Sequence, residues 1–250
     1  MAGSKKIGTA RRLSKTPKQA APSSASSIAR RKDKFSVDIS NNMTFTDKAY
    51  AQIEEMIVTL QLSPGTVLSE FALANSLGLG RTPIREALQR LSRDGLVNIL
   101  PRRGVLVSSI DLRSQLRLLA VRRELDRLMA RGAAKLATEE ERDQFSAVAA
   151  GMREAAERSD DISFMRLDQE FNILISFAAR NEFATRAIGL LHGLSRRFWY
   201  QHYKQAADLP LAARLHAEVA EAVAARNASA AAEASDRLVD YIESFARSTL

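Results

Sequence analysis

Two arginines and a threonine stand at the start of an amphipathic stretch, GLGRTPIREALQRLSRDGLV, at residues 78–97. Arg81 and Arg85 lie one helical turn apart and therefore share a face. A guanidinium can bind guanine O6 and N7 together or grip a phosphate, and the Thr82 hydroxyl can also bind either group. Pro83 lacks an N–H, which costs little in the first turn of a helix. These residue types fit nucleic-acid contact or, alternatively, a solvated helix face.

A second basic group follows in PRRG, residues 101–104. Apolar residues alternate with other residues on both sides of it, which predicts a β-hairpin with a basic tip; they are Val97, Ile99, Val105 and Val107. Arg103 and Gly104 then stand at the tip, where glycine lets the main chain approach a ligand closely. This tip is suited to contact with the DNA backbone or the minor groove.

Three short helices must position these groups. Helical spacing of apolar residues predicts them at 46–61, 69–77 and 81–93, with Pro and Gly between them. Together with the hairpin they predict a winged helix-turn-helix over residues 45–111. In such a unit the start of the second turn helix enters the major groove of double-stranded DNA, so the three coinciding features favour DNA contact.

The pattern changes after residue 111. In residues 112–250 proline occurs once, strand patterns vanish and apolar residues recur at helical spacing. Six helices in an all-α bundle are predicted, at 113–136, 139–158, 161–179, 182–205, 209–226 and 228–247. Thr138 followed by Glu141 predicts a capping box at the start of the second. The fold class is therefore mainly α, with an N-terminal winged helix-turn-helix and a C-terminal helical bundle.

Charge and composition restrict the function classes. The net charge is +8, yet residues 1–34 hold ten Lys and Arg against Asp33 alone. Residues 1–44 are thus predicted to be a disordered basic tail that binds a polyanion or merely keeps the chain soluble. The absence of cysteine excludes disulfides, thiol catalysis and Cys-based zinc sites. No apolar run suits a membrane span or a signal peptide, so we expect a cytoplasmic protein without a membrane contact.

The segment LSPGTVLSEFALANSLGLGRTPIREALQRLSRDGLVNILPRRGVLV resembles the DNA-binding domain of the GntR family of bacterial transcription regulators. The family pattern is supplied by Gly65, Leu68, Glu70, Arg81, Thr82, Pro83, Arg85, Glu86, Ala87, Leu88, Gly95, Leu96, Val97 and Gly104. The resemblance implies that double-stranded DNA is contacted by Arg81, Thr82, Arg85, Arg103 and Gly104. The family usually has Ser or Thr where this chain has Gly80, so a phosphate-binding hydroxyl is missing.

Residues 112–246 resemble, through weaker motifs, the FCD-type ligand-binding domain of the FadR-like subgroup of that family. The motifs are VRRELDRLMARGAA, LDQEFNILISFAARN and LHAEVAEAVAARNASAAAEA, the first with Asp126 where the family has Glu. The resemblance implies that residues 112–250 bind a small-molecule effector and hold two copies of the chain together.

Many domains of this subgroup bind a divalent metal through one Asp and three His. This chain keeps Asp168 and His216, whereas Asn172 and Leu238 stand at the other two positions. We therefore expect no tight zinc site, and at most a weakly bound divalent metal whose coordination is completed by water or by Asp240. The alternative for His216 is an ordinary bundle histidine that makes a hydrogen bond.

If the metal is lost, a small organic acid can be held directly by an arginine. Arg122 matches the family arginine that faces a ligand carboxylate, and its planar fork suits that role. The effector residues implied are Arg122, Asp168, Asn172 and His216. The alternative is that Arg122 makes a surface pair with Asp126 or Glu124. His192 and His202 have no evident partner in the sequence and are predicted to be structural.

The sequence thus predicts a dimeric, metabolite-responsive repressor that binds palindromic operators. A ligand-blind dimeric architectural DNA binder is the alternative. An enzyme that uses Asp168 and His216 as a catalytic pair is a further class. We do not expect it, because no nucleophile motif, phosphate loop or complete metal set accompanies the pair.

Deleting residues 1–34 is expected to weaken binding to all DNA sequences alike and to flatten its salt dependence, because fewer counterions are then released from phosphate. Titrating one specific and one random duplex at several salt concentrations measures both effects. A loss of affinity confined to the specific duplex would contradict the prediction.

Overall fold

All but one of the described helices start at a side chain that accepts a hydrogen bond from the first turn, as the capping rules predict. The computed structural model describes residues 1–3 and 43–249, so nearly all of the predicted basic tail lies outside the described residues. Thr138 and Glu141 form the predicted capping box, with the Thr138 Oγ1 accepting from the Glu141 N–H and the Glu141 carboxylate accepting from the Thr138 N–H. Thr44 and Asp47 form a second box at the first helix.

The N-terminal part has three helices and a small sheet. The helices are α1 (Phe45–Val58), α2 (Glu70–Leu77) and α3 (Arg81–Arg93), and the strands are β1 (Val67–Leu68), β2 (Val97–Leu100) and β3 (Gly104–Val107). Helix α1 ends three residues before the prediction, because Leu60 takes a φ of +62°, which does not continue a right-handed helix. The predicted winged helix-turn-helix fold is confirmed.

A short core holds this part together. The apolar face predicted for α3, namely Ile84, Ala87, Leu88 and Leu91, is fully buried against α1 residues such as Ile53 and Ile57. Gly78 takes a left-handed φ of +64° and ends α2, which turns the chain sharply into α3. Gly80 is the N-cap of α3 and makes no side-chain cap bond, which agrees with the missing hydroxyl noted in the sequence.

The sheet has the antiparallel order β1–β3–β2, with Val97 opposite Val107 and Ile99 opposite Val105. Strand β1 was not predicted, because two residues are too few to show an alternating pattern. Strand β2 is an edge strand in which Val97 is buried, whereas Ile99 is 48% exposed.

Six helices form the C-terminal part, as predicted. They are α4 (Leu112–Leu136), α5 (Glu139–Arg158), α6 (Asp161–Ala178), α7 (Glu182–Ala206), α8 (Leu209–Ala224) and α9 (Ala228–Arg247). Helix α5 packs along α8, and α4 packs along α9, around a core that contains Phe145, Met129 and Ile188. Within the described residues, no helix combines the length and the apolar character that crossing a membrane would require.

Helix α7 also contacts the winged helix. Leu194 packs against the apolar core of the winged helix. Gly193 allows this close approach, because a Cβ at that position would lie 3.0 Å from Leu96 Cδ1. Arg197 is 3% exposed and donates to the carbonyl oxygens of Ser108 and Ser109 at 3.0 and 3.2 Å. Burial lowers the pKa of Arg197 to about 10, so the guanidinium stays charged at neutral pH and holds the segment between β3 and α4.

Replacing Thr138 with Ala is expected to lower the free energy of unfolding by about 0.5–2 kcal/mol, because the capping box loses its side-chain acceptor. Urea unfolding measures the loss. Ser146→Ala in the same helix is the control, since its hydroxyl only donates to the Arg142 carbonyl and its loss should be nearly neutral. Equal stabilities for the two variants would contradict the capping role.

Candidate nucleic-acid interface and ligand cavity

The start of α3 presents the predicted cations to solvent. The side chains of Arg81 and Arg85 are 65% and 59% exposed, and Thr82 is exposed beside them. Both guanidiniums face Glu70 of α2: Arg85 donates to its carboxylate at 2.8 to 3.2 Å, and Arg81 Nη2 lies 3.8 Å away. The hydrogen bond from Arg85 lowers the pKa of Glu70, so the carboxylate is charged and orients both cations.

One further polar side chain extends this face. Gln89 lies one turn beyond Arg85 and is exposed, and its amide can bind adenine N6 and N7 together. Gln89 was not predicted from the sequence, although its spacing of four residues from Arg85 was the signal that could have found it. Glu86, in contrast, accepts a hydrogen bond from the Thr46 hydroxyl at 2.6 Å and joins α3 to α1.

The wing is the β2–β3 hairpin with its turn at residues 101–103. Arg103 closes the turn by donating its N–H to the Leu100 carbonyl at 3.0 Å, and its side chain is exposed. Arg102 and Gly104 take φ values of +62° and +95°. A φ of +95° suits glycine alone, which explains glycine at this position. The tip therefore offers two exposed arginines on a tight turn.

The bundle encloses a cavity whose empty volume is about 770 Å³, including space that opens to solvent. Its polar wall is formed by Arg122, Asp168, Asn172, His192, Ser195, Arg196 and His216. The structure thus brings together all four side chains that the resemblance assigned to an effector. The aromatic rings of Trp199 and Tyr200 form part of the wall beside them.

Asp168 and His216 face one another across the cavity wall. His216 Nε2 lies 3.1 Å from Asp168 Oδ1, and His216 Nδ1 donates to the Ala212 carbonyl at 2.8 Å. Burial disfavours the charged form of Asp168, but the hydrogen bond and charge of His216, with the more distant Arg196 and His192, outweigh it and lower the pKa. The carboxylate is therefore ionised at neutral pH.

The donor set does not fit a zinc ion held by protein ligands alone. The His216 ring is oriented like that of a metal-binding histidine, because its Nδ1 donates to a carbonyl oxygen. Zinc sites, however, use three or four protein ligands. Asn172 Nδ2 donates to Asp168 Oδ1 at 3.0 Å, and Leu238 is buried and apolar. In the part of the chain that the structure describes, no group of three His, Asp or Glu converges.

The expectation that Asp240 completes a metal site is not met by the geometry. Its carboxylate accepts from Arg123 at 2.6 Å and is 65% exposed. Asp240 does not line the cavity, because its position on α9 turns it toward α4 and the solvent.

Arg122 combines the two roles that the sequence left open. It pairs with Asp126 one turn along α4, at 2.9 Å, and its Nη1 donates to the Ser195 hydroxyl at 2.9 Å inside the cavity. Glu124 pairs instead with Arg127. Arg122 is therefore held in place by a carboxylate and remains within reach of a ligand.

Helix α7 supplies wall residues that the sequence analysis missed. His192, predicted to be structural, lines both this cavity and a smaller neighbouring pocket. Burial, and next the charge of Arg122, lower the pKa of His192 to about 4, so its ring is neutral at physiological pH. Ser195 and Arg196 follow on the same helical face, and this polar spacing of three and four residues from His192 was an available signal.

Comparison with known families agrees with this geometry. Residues 45–107 match the family model described as bacterial regulatory proteins, gntR family, and residues 117–241 match the FCD domain. These ranges cover the winged helix and most of the bundle that contains the cavity.

Known relatives carry related descriptions. The chain is 28% identical over 181 residues to the "HTH-type transcriptional repressor RspR" of Escherichia coli (strain K12), covering 72% of this chain and 79% of that protein. It is 44% identical over 71 residues to an uncharacterized HTH-type transcriptional regulator of Streptomyces ambofaciens, covering 28% of this chain and only 30% of that protein.

A solved structure shares the fold. E. coli McbR/YncC superposes with a TM-score of 0.72 at 18% identity, over 83% of this chain and 99% of that one. With a helix-turn-helix that presents arginines, a basic-tipped wing and an FCD bundle around a cavity, the chain belongs to the GntR family and is a DNA-binding transcription regulator.

Proposed function

We propose that this protein is a dimeric repressor that binds palindromic operators and responds to a small organic anion. One observation carries the proposal: the charged cavity and the winged helix share helix α7, which lines the first and packs against the second. A ligand in the cavity therefore lies one helix away from the DNA-binding part. The relative described as a repressor supports the negative sign of regulation.

The proposal of a dimer rests on how a recognition helix contacts DNA. A single recognition helix reads few base pairs, and two copies related by a two-fold axis match two half-sites about 10 base pairs apart. The helical hairpin α6–α7 offers an apolar surface for the second copy. Its exposed side chains are Ile173, Phe177, Phe183 and Leu190. Exposed apolar groups of this kind are typical of interaction surfaces.

The charge of the cavity favours an anionic effector. Two arginines, Arg122 and Arg196, line it, whereas Asp168 is already matched by His216. A guanidinium binds a carboxylate through two parallel hydrogen bonds. Because the metal donors are too few, the arginines are proposed to hold the anion directly, and Asn172 and His216 to complete the polar contacts.

The ligand-blind architectural binder is the competing function. It requires only that the bundle hold two copies together, and a charged cavity of about 770 Å³ has no part in that task. The two functions differ in whether any small anion stabilises the fold.

Replacing Arg85 with Ala is expected to weaken operator binding by about 1–3 kcal/mol, because a bidentate base contact is lost. The operator is first selected from random duplexes, and fluorescence anisotropy then gives the affinity. The melting temperature should stay unchanged, since Arg85 is exposed. A wild-type footprint should show two half-sites bound by a species of twice the chain mass.

Arg93→Ala is the matched control, because this arginine is exposed at the opposite end of α3. Its affinity should remain close to that of the wild type. Unchanged affinity and sequence preference for Arg85→Ala would remove the residue from the reading surface. A monomer that protects one half-site would overturn the dimeric repressor.

Small carboxylates, tested as acetate, succinate and citrate, are expected to raise the melting temperature. A ligand at one hundred times its Kd adds about 2.7 kcal/mol to stability. Arg122→Gln should abolish the rise, because the cavity loses one of its two cations. Thermal unfolding before and after dialysis against EDTA measures the effect and its dependence on metal.

Arg123→Gln is the control, since the neighbouring arginine pairs with Asp240 outside the cavity wall. A rise that disappears with EDTA and returns with zinc would assign the anion to a bound metal instead. If none of the three carboxylates stabilises the wild type, the ligand-blind binder replaces the sensor.

A further inference from the structure

Arg196 is shared between the cavity and the winged helix. Its side chain lines the cavity on α7, and its Nη2 lies 3.1 Å from Glu55 Oε2 on α1. The Arg196 side chain is 25% exposed, and that of Glu55 is 49% exposed. The pair therefore joins the bundle to the first helix of the DNA-binding part, with water at one side.

A second carboxylate on α1 depends on the same cation. Burial raises the pKa of Glu54, and the positive charge of Arg196 is the largest influence that opposes this. A Cβ added at Gly193 would lie 3.0 Å from Glu54 Oε1, so α1 and α7 are in close contact there. Removing Arg196 from this junction would leave two adjacent acidic side chains with less compensating charge.

The other cavity arginine is connected differently. Arg122 pairs with Asp126 on its own helix, α4. An anion that displaces Asp126 changes contacts within one helix, whereas an anion that displaces Glu55 breaks a contact between α7 and α1. Anion binding at Arg122 would therefore change contacts within α4 alone, whereas anion binding at Arg196 would change the contact between two helices.

We propose that Arg196 couples the cavity to the winged helix, since an anionic ligand in the cavity draws its guanidinium away from Glu55 and loosens the attachment of α1 to α7. The coupling rests on the proposed function, because it requires an anionic ligand in the cavity. It assigns the transmission of the signal to one named ion pair.

Coupling of this kind is reciprocal. If the anion and Glu55 compete for Arg196, removing Glu55 must strengthen anion binding although Glu55 lies outside the cavity wall. An exposed ion pair of this type corresponds to about a two- to fivefold change in an equilibrium constant. That is the gain in affinity expected for Glu55→Gln.

The test is calorimetric titration of the full chain with citrate. Glu55→Gln should bind citrate more tightly by about two- to fivefold, and Arg196→Gln should bind it more weakly. In the Arg196→Gln background, Glu55→Gln should have no further effect. Glu218→Gln is the control, because it breaks the exposed Arg237–Glu218 pair between α8 and α9, away from the cavity.

Hydrogen exchange of α1 amides supplies a second readout. Exchange should be faster in the wild type with citrate, and in Glu55→Gln without it, but unchanged in Glu218→Gln. If citrate binds the wild type but Glu55→Gln neither gains affinity nor exchanges faster, the coupling is overturned while the anion sensor stands. If citrate, acetate and succinate all fail to bind the wild type, the anion sensor fails, and the coupling fails with it.

Discussion

The structure depends on the double packing of helix α7. Gly193 and Leu194 contact the winged helix, while His192 and Ser195 line the cavity on the adjacent face. Arg197 adds a buried, charged bond to the segment that leads from the wing into α4. Residues 192–195 span about one turn of a single helix, so the same element contacts both the cavity and the winged helix. The DNA-binding part and the cavity are therefore mechanically connected without a flexible linker at this point.

The arginines to which a ligand contact is proposed share one arrangement. Each is oriented by a carboxylate: Glu70 holds Arg85 at the start of α3, Asp126 holds Arg122, and Glu55 holds Arg196. Such pairs are exposed or partly exposed and contribute little to stability. They keep long side chains ordered before the ligand arrives, which lowers the entropy cost of binding. In the proposed function, DNA and the anion would each replace one partner of an existing ion pair.

The cavity keeps only part of the metal-ligand set that the resemblance to the FCD domain implies. Asp168 and His216 keep the arrangement of two metal ligands, yet Asn172 and Leu238 remove the rest of the set. The space and its arginines persist around that incomplete set. This combination is why an anion held directly by guanidinium groups is favoured over one bound through a metal.

The sequence alone determined the helices, the capping box at Thr138, the winged helix and the place of Arg81 and Arg85 at the start of α3, because periodicity, caps and turn glycines act over a few residues. Tertiary structure decided what local patterns do not encode. Strand β1 forms only because β3 lies beside it, and His192 and Arg196 become cavity residues only because α7 is packed between two partners. Contacts between residues far apart in the chain depend on the relative placement of whole helices, which no local spacing specifies.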